Sequence, residues 1–221
     1  RSINIGCPSD RVQAGRFGAC LMREPDLVAS LWSAAQEAAP NIAVTIKSRI
    51  GVDDQEPRDA LYALVDASAR TGCRTFIVHA RKAWLDGLSP KENRDVPPLD
   101  YDLVRQLKRD RPSLEVILNG GLKDLEHALA EQHSLDGVML GRAAYQQPAT
   151  LLGVDARVFG TSASPLTREQ AVEAYFPYIE ARLAEGVALH AMTRHMLGLF
   201  NARPGGRVWR RGLSERGVRR G

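Results

Sequence analysis

Ile3 and Ile5 alternate with polar or small residues at the head of the chain, and Val44 and Ile46 alternate in the same way with Thr45 and Lys47. A two-residue apolar period is the mark of a strand with one buried face. Five short runs of β-branched or apolar type follow from it: 2–6, 43–49, 75–79, 115–119 and 137–140. Between them, residues 24–39, 57–71, 101–110 and 122–132 space their apolar positions by three and four, several with an acid or a proline at the start, which predicts helices. Strand and helix therefore alternate, and the chain is of the α/β class with a parallel sheet. Each strand runs straight into polar or glycine-bearing sequence (GCPSD, SRIGVDD, HARKAW, NGGL, GRAAY), as if one rim carried every ligand loop. That favours a (β/α)8 barrel over a doubly wound sheet.

Five strands are too few to close such a barrel. Barrel phosphate sites commonly follow strands seven and eight, and the glycine-bearing NGG and GR turns come last here. The five are thus expected to be strands four to eight, with the first three N-terminal to residue 1; the alternation already under way at Ile3 agrees with a start inside a domain. Past Gly160 the stretch TSASPLT reads as a linker, and 168–185 and 187–200 read as helices. The expected division is 1–160 for the barrel portion and 161–221 for a small helical domain.

Charge sharpens this picture. The net charge of +4 over 221 residues is uneven, because 201–221 hold seven arginines against one acid while the rest of the chain is slightly acidic. A local basic tail points to a polyanion partner, and its final Arg/Gly-rich residues are expected to be poorly ordered. No run of 18 apolar residues occurs, so no membrane span is expected, and neither is a secretory leader. Three widely spaced cysteines without a CxxC pair fit neither a disulfide framework nor a metal site. A cytoplasmic protein is expected, acting as a monomer without a metal.

Cys7 stands two residues past the first alternation, ahead of Pro8, which cannot extend a ladder, so its thiol is expected at the rim. A buried, purely packing cysteine is the competing reading, and it is the preferred one for Cys20 and Cys73. Lys47 falls on the inward side of its strand, with Arg49 projecting the same way. A lysine there must meet an anion or an electron-rich ring, or else reach water at the rim. His79 closes the third run, followed by Arg81 and Lys82. Asn119, Gly120 and Gly121 close the fourth, and Gly141 with Arg142 follows the fifth; two such turns on consecutive strands suit a phosphate-bearing ligand, although each alone is only a tight turn. In the tail, Arg207, Arg210 and Arg211 surround Trp209, which either packs or stacks.

Taken together, GCPSDRVQAGRFGACLM, TIKSRIGVDD, VHARKAWLDGLSPKENR, LNGGL, DGVMLGRAAYQQP and RVWRRGLSE resemble the tRNA-dihydrouridine synthases, closest to the A subfamily, over nearly the whole chain. The resemblance implies an FMN-binding TIM barrel followed by a helical domain. It also implies reduction of the uracil C5=C6 bond in the D-loop of tRNA, at positions 20 and 20a, with NADPH recharging the flavin. Under it Cys7 is the proton donor, mostly protonated at neutral pH yet able to release its proton to a carbanion-like centre. Lys47, His79, Asn119, Gly120, Gly121, Gly141 and Arg142 match flavin contacts. Asn4 and Arg94 match residues that read the uracil edge, Lys91, Arg207 and Arg210 match tRNA contacts, and Arg49 and Arg81 are placed with the substrate. Two other readings stay open on the sequence: a flavin-dependent reductase of a free pyrimidine, and a tRNA-binding remnant without catalysis.

Overall fold

The computed structural model describes residues 1–9, 14–162 and 164–216. Residues 10–13 of the first motif, Ala163 of the linker stretch and Arg219 and Arg220 of the basic tail lie outside them. The chain divides into two compact units: Arg1–Leu122 with Ala128–Met139, and Lys123–His127 with Leu140–Gly221.

In the first unit the five expected strands form, as β1 (Ser2–Asn4), β2 (Thr45–Ser48), β3 (Thr75–His79), β4 (Glu115–Asn119) and β5 (Gly137–Met139). They pair in sequential order, every pair parallel. The crossovers contain α1 (Pro25–Ala38), α2 (Pro57–Arg70), α3 (Tyr101–Asp110) and α4 (Leu125–Gln132), the first turn of α4 being counted with the second unit. α1 and α2 begin with proline, whose fixed φ suits a first turn and whose missing N–H would be unpaired there anyway. α3 begins where the Asp100 carboxylate accepts the Leu103 amide at 2.9 Å.

Because parallel crossovers are right-handed, a sheet laid down in sequential order puts its helices on one face. That face is apolar: Ile46, Phe76, Val78, Val116 and Leu118 are fully buried, and the helices add Val28, Leu61, Leu64, Val65, Val104 and Leu107 to the same core. Trp32 of α1 donates its indole N–H to the Val44 carbonyl at 2.8 Å, fastening that helix to the start of β2.

The opposite face is read from the register. Asn4, Lys47, Ile77, Ile117 and Gly137 share one row across the sheet, and His79, Asn119 and Met139 share the next row toward the strands' C-terminal ends. Arg49, two residues past Lys47, projects to the same side by the strand period.

β1 and β2 end earlier than the hydrophobic pattern suggests, for local reasons. The Asn4 side chain accepts the Gly6 amide at 3.1 Å, bending the chain away from the ladder. Past Ser48, the Ile50 amide turns to the Arg81 carbonyl instead.

The second unit is helical, with α5 (Arg142–Gln146), α6 (Val154–Val158), α7 (Arg168–Ala184), α8 (Leu189–Thr193) and α9 (Gly206–Arg216). α7 opens on a reciprocal cap between Thr167 and Gln170. The single helix expected over 187–200 is instead α8 and a 3-10 turn, Arg194–Met196. The chain at Gly198 lies so close to the Gln146 carbonyl that a β-carbon would sit 1.8 Å from its oxygen. Asn201 also donates to that carbonyl, at 3.0 Å.

The seam between the units falls at Met139 and Leu140, earlier than the boundary at 160 read from the linker-like stretch, which lies inside the second unit. Arg157 of α6 pairs with Glu126 through both guanidinium nitrogens, so residues before 160 belong to the helical packing.

Phe76 is fully buried in the middle of the sheet. Phe76→Ala is expected to lower stability by about 3–5 kcal/mol, read by urea denaturation with an unchanged m-value.

Candidate functional site

The site is built on the C-terminal ends of β1 to β4 and the loops that leave them, all within the first unit. Arg49 organises it. Its side chain is 3% exposed and spends its donors on three backbone carbonyls: Nε on Gly6 at 3.2 Å, and Nη1 on Lys82 at 3.2 Å and Asn93 at 2.8 Å. Those carbonyls belong to the loop after β1, the loop after β3, and the 3-10 turn Glu92–Arg94. No carboxylate pairs with it among the described residues. Burial, followed by the nearby Arg81 and Arg94 charges, pushes the guanidinium down to about 10, and Cys7 acts in the opposite direction.

Lys47 lies one row deeper. Its ammonium is held below its ordinary value of 10.5, first by burial and then by Arg49. Among the described residues no acceptor or acid compensates it. Half-burying a cation beside another cation costs free energy, which an anion or an electron-rich ring would offset.

Cys7 is half-buried in the loop after β1, with its sulfur 3.4 Å from the Ser9 hydroxyl. The Cys7 carbonyl accepts the Ala19 amide at 2.9 Å, which fixes the turn that carries the thiol. The sulfur therefore does not point into packed hydrocarbon. Asn4, in register with Lys47, is exposed at the end of β1. Asp53 braces the loops further out: it pairs with Arg23 at 2.5 Å and accepts the Leu85 amide at 2.7 Å.

At the other end of the row, His79 and Asn119 are buried neighbours on β3 and β4. Asn119 donates to the Met139 carbonyl at 2.7 Å, tying β4 to β5. Gly120 has φ +106°, and a β-carbon there would lie 2.4 Å from the His79 ring. Gly121 has φ +68°, and a β-carbon there would lie 2.5 Å from Leu99. Both glycines are required by backbone conformation and by close approach, and together they leave a smooth concave turn. Tyr101 supports it by donating its hydroxyl to the Gly120 carbonyl at 2.5 Å.

Among the remaining expected residues, Arg81 donates to the Asp95 carbonyl at 3.2 Å and also to the Pro97 carbonyl. Lys91 and Arg94 are exposed at the two ends of the turn that Arg49 anchors. Gly141 and Arg142 begin α5 in the second unit, where Gly141 has ordinary negative φ and open space around its α-carbon. Arg207 and Arg210 are exposed on α9. Trp209 packs rather than stacks: its indole donates to Met196 at 3.0 Å and its ring lies 4.8 Å from Phe200.

Asn93 is the residue that sequence reasoning missed. It is fully buried, and its amide joins Trp84 and Leu88 across the loop (Trp84 amide to Oδ1 at 2.7 Å; Nδ2 to the Trp84 and Leu88 carbonyls at 2.8 and 3.1 Å). Nothing in its local sequence separates it from a solvent-facing asparagine in a turn. Tyr101 was likewise read only as the start of a helix.

Among the described residues no cluster of His, Cys, Asp and Glu is arranged to hold a metal ion, and no helix is long and apolar enough to cross a membrane. What the geometry offers, among the described residues, is a cationic floor without an acid, a glycine turn where the chain approaches closely, and a partly exposed thiol in the loop that Arg49 holds.

Comparison with known proteins adds a family. The dihydrouridine synthase family model matches residues 2–218. The chain is 53% identical over 220 residues to the tRNA-dihydrouridine(20/20a) synthase of Shewanella oneidensis, covering all of this chain and 65% of that one. It is 54% identical over 215 residues to the protein of that name from Vibrio parahaemolyticus (97% and 66% covered), and 53% identical over 215 residues to that of Escherichia coli K12 (97% and 62% covered). The chain thus spans between 62% and 66% of the length of these curated relatives.

Two outcomes follow from the geometry. Gly120→Ala should cost at least about 1–3 kcal/mol from backbone conformation alone and displace His79, visible as a lowered melting temperature. Cys73 is fully buried and pushed up to about 11 by that burial, whereas Cys7 and Cys20 are partly exposed. Iodoacetamide on the native chain should modify two thiols quickly and the third only on unfolding, counted by mass spectrometry.

Proposed function

The chain belongs to the dihydrouridine synthase family, and from that premise we propose that it is part of an FMN-dependent reductase of uridines in the tRNA D-loop, at positions 20 and 20a, with NADPH as the reductant. The five strands are then strands four to eight of a (β/α)8 barrel. Their unbroken sequential order supports that reading, since a doubly wound sheet reverses its order at a switch point.

The observation that carries the proposal is the uncompensated Lys47 ammonium beside Arg49. The residues fit a flavin mononucleotide. Lys47 would meet the electron-rich edge of the ring system, His79 would flank it, and Asn119, Gly120 and Gly121 would hold the phosphate-bearing end. The family resemblance assigns a phosphate role to Gly141 and Arg142 as well. A flavin held by these residues would supply the hydride for uracil C6, with NADPH as the reductant.

The chain's own residues supply the rest. Cys7 Sγ–H gives the proton to C5, so hydride and proton together saturate the C5=C6 bond. A thiol is suited to this because it holds its proton at neutral pH and releases it to a developing carbanion. Arg49, near enough to Cys7 for each to feel the other's charge, stabilises the thiolate left behind until solvent reprotonates it. Asn4 and Arg94 would read the uracil edge through an amide and a guanidinium. Lys91, Arg207 and Arg210 would hold the RNA backbone while the base leaves its stack, a step costing a few kcal/mol.

The test is dihydrouridine mapping in unmodified tRNA, with the protein extended to the length of its relatives and supplied with FMN and NADPH. Dihydrouridine should appear at the D-loop positions, and Cys7→Ala should slow its formation by about 100-fold or more while flavin binding persists. An undiminished rate in Cys7→Ala would refute the donor role.

A second outcome concerns Lys47→Met. It should abolish flavin affinity yet leave the ligand-free fold as stable as before, or more stable by up to about 1 kcal/mol. Below the folded pKa of Lys47 the charge penalty is fully present. As pH rises through that value toward 10.5 the native lysine sheds its proton, so the stability difference between the two forms should shrink over that alkaline range. Melting curves against pH read it directly.

A further inference from the structure

The loop after β3 displays an aromatic ring that the fold does not consume. Trp84 is 41% exposed, whereas Trp32 is buried and Trp209 is packed. Leaving so large an apolar surface in water is unfavourable, and a loose loop could relieve the cost by folding the ring inward. This loop is not loose. The Trp84 amide and carbonyl are both bonded to the fully buried Asn93 side chain. Its neighbours are held as firmly: Ala83 bridges to Val52, and the Leu85 amide donates to Asp53 at 2.7 Å. The backbone beneath an exposed ring is fastened on both sides.

The surroundings are cationic. Lys82 places its ammonium 5.4 Å from the Trp84 ring centroid. Residues 81–94 hold four bases (Arg81, Lys82, Lys91, Arg94) against two acids, and one of those acids, Glu92, is turned back onto the Ser89 amide and hydroxyl. The loop that carries the ring is tied to the loop that carries the thiol: Trp84 is joined to Asn93, Asn93 to Arg49, and Arg49 to Gly6, the residue before Cys7. A pre-organised aromatic face among cations, close to a site that removes a base from its stack, has the features of a nucleobase platform.

We propose that Trp84 stacks on a nucleobase of the substrate RNA adjacent to the uridine being reduced, with Lys82 contributing positive charge at the same face. This rests on the reading of tRNA as substrate and adds a stacking subsite to it. A flipped uridine exposes the faces of its neighbours, and the indole replaces the lost stacking partner.

The test uses the full-length, FMN-loaded enzyme and unmodified tRNA, with dissociation constants measured across a salt series. Trp84→Ala should weaken binding by about tenfold without changing the slope of log Kd against log salt, because no phosphate contact is lost. Trp84→Phe should restore most of the affinity. Lys91→Ala, by contrast, should flatten the slope.

Unchanged affinity in Trp84→Ala, an altered slope, or a failure of phenylalanine equal to that of alanine would each overturn the proposal. So would a Trp84→Ala form whose only change is from dimer to monomer, which would make the ring a self-association contact. If the wild-type enzyme binds no tRNA, the substrate reading itself falls, and that outcome is distinguishable from the others.

Discussion

The site depends on one buried guanidinium bonded to backbone rather than to acid. Arg49 holds the carbonyls of Gly6, Lys82 and Asn93, which lie on three different rim segments. A carboxylate partner would have neutralised it and cost nothing in complexity. Carbonyls satisfy its hydrogen bonds and leave its charge largely intact, at a desolvation cost expressed in its pKa of about 10. The loops are thereby set by hydrogen bonds while the rim they form stays positive.

That choice accounts for the electrostatics of the whole row. Lys47 below it has no acid partner among the described residues, and Arg81 and Arg94 add to the field. Cations crowded in this way are stabilised by an anion or an electron-rich ring.

Much of this was legible in the chain. The runs 75–79 and 115–119 and the helix 101–110 have the boundaries read from their periodicity, because each is bounded by residues that also stop it physically, such as the Asp100 cap and the two glycines after Asn119. Lys47 and Arg49 were placed on the inward side from the strand period alone. The strand ends near Asn4 and Ser48 were not legible, since side-chain and loop bonds from distant sequence decide them.

Asn93 was invisible for the same reason: its importance lies in bonds to Trp84, Leu88 and, through its carbonyl, Arg49, and no spacing rule encodes these. The helices of 142–158 were missed because they are short and of weak period. Their place in the second unit is fixed by contacts such as Arg157 with Glu126.

Hydrogen exchange on native protein and on Arg49→Met examines the central constraint most directly. If one guanidinium holds the rim, amides of 6–9 and of 82–94 will exchange faster together in the variant, while the β2, β3 and β4 amides keep their protection. Exchange that is unchanged in both segments, or faster in only one of them, would contradict the account.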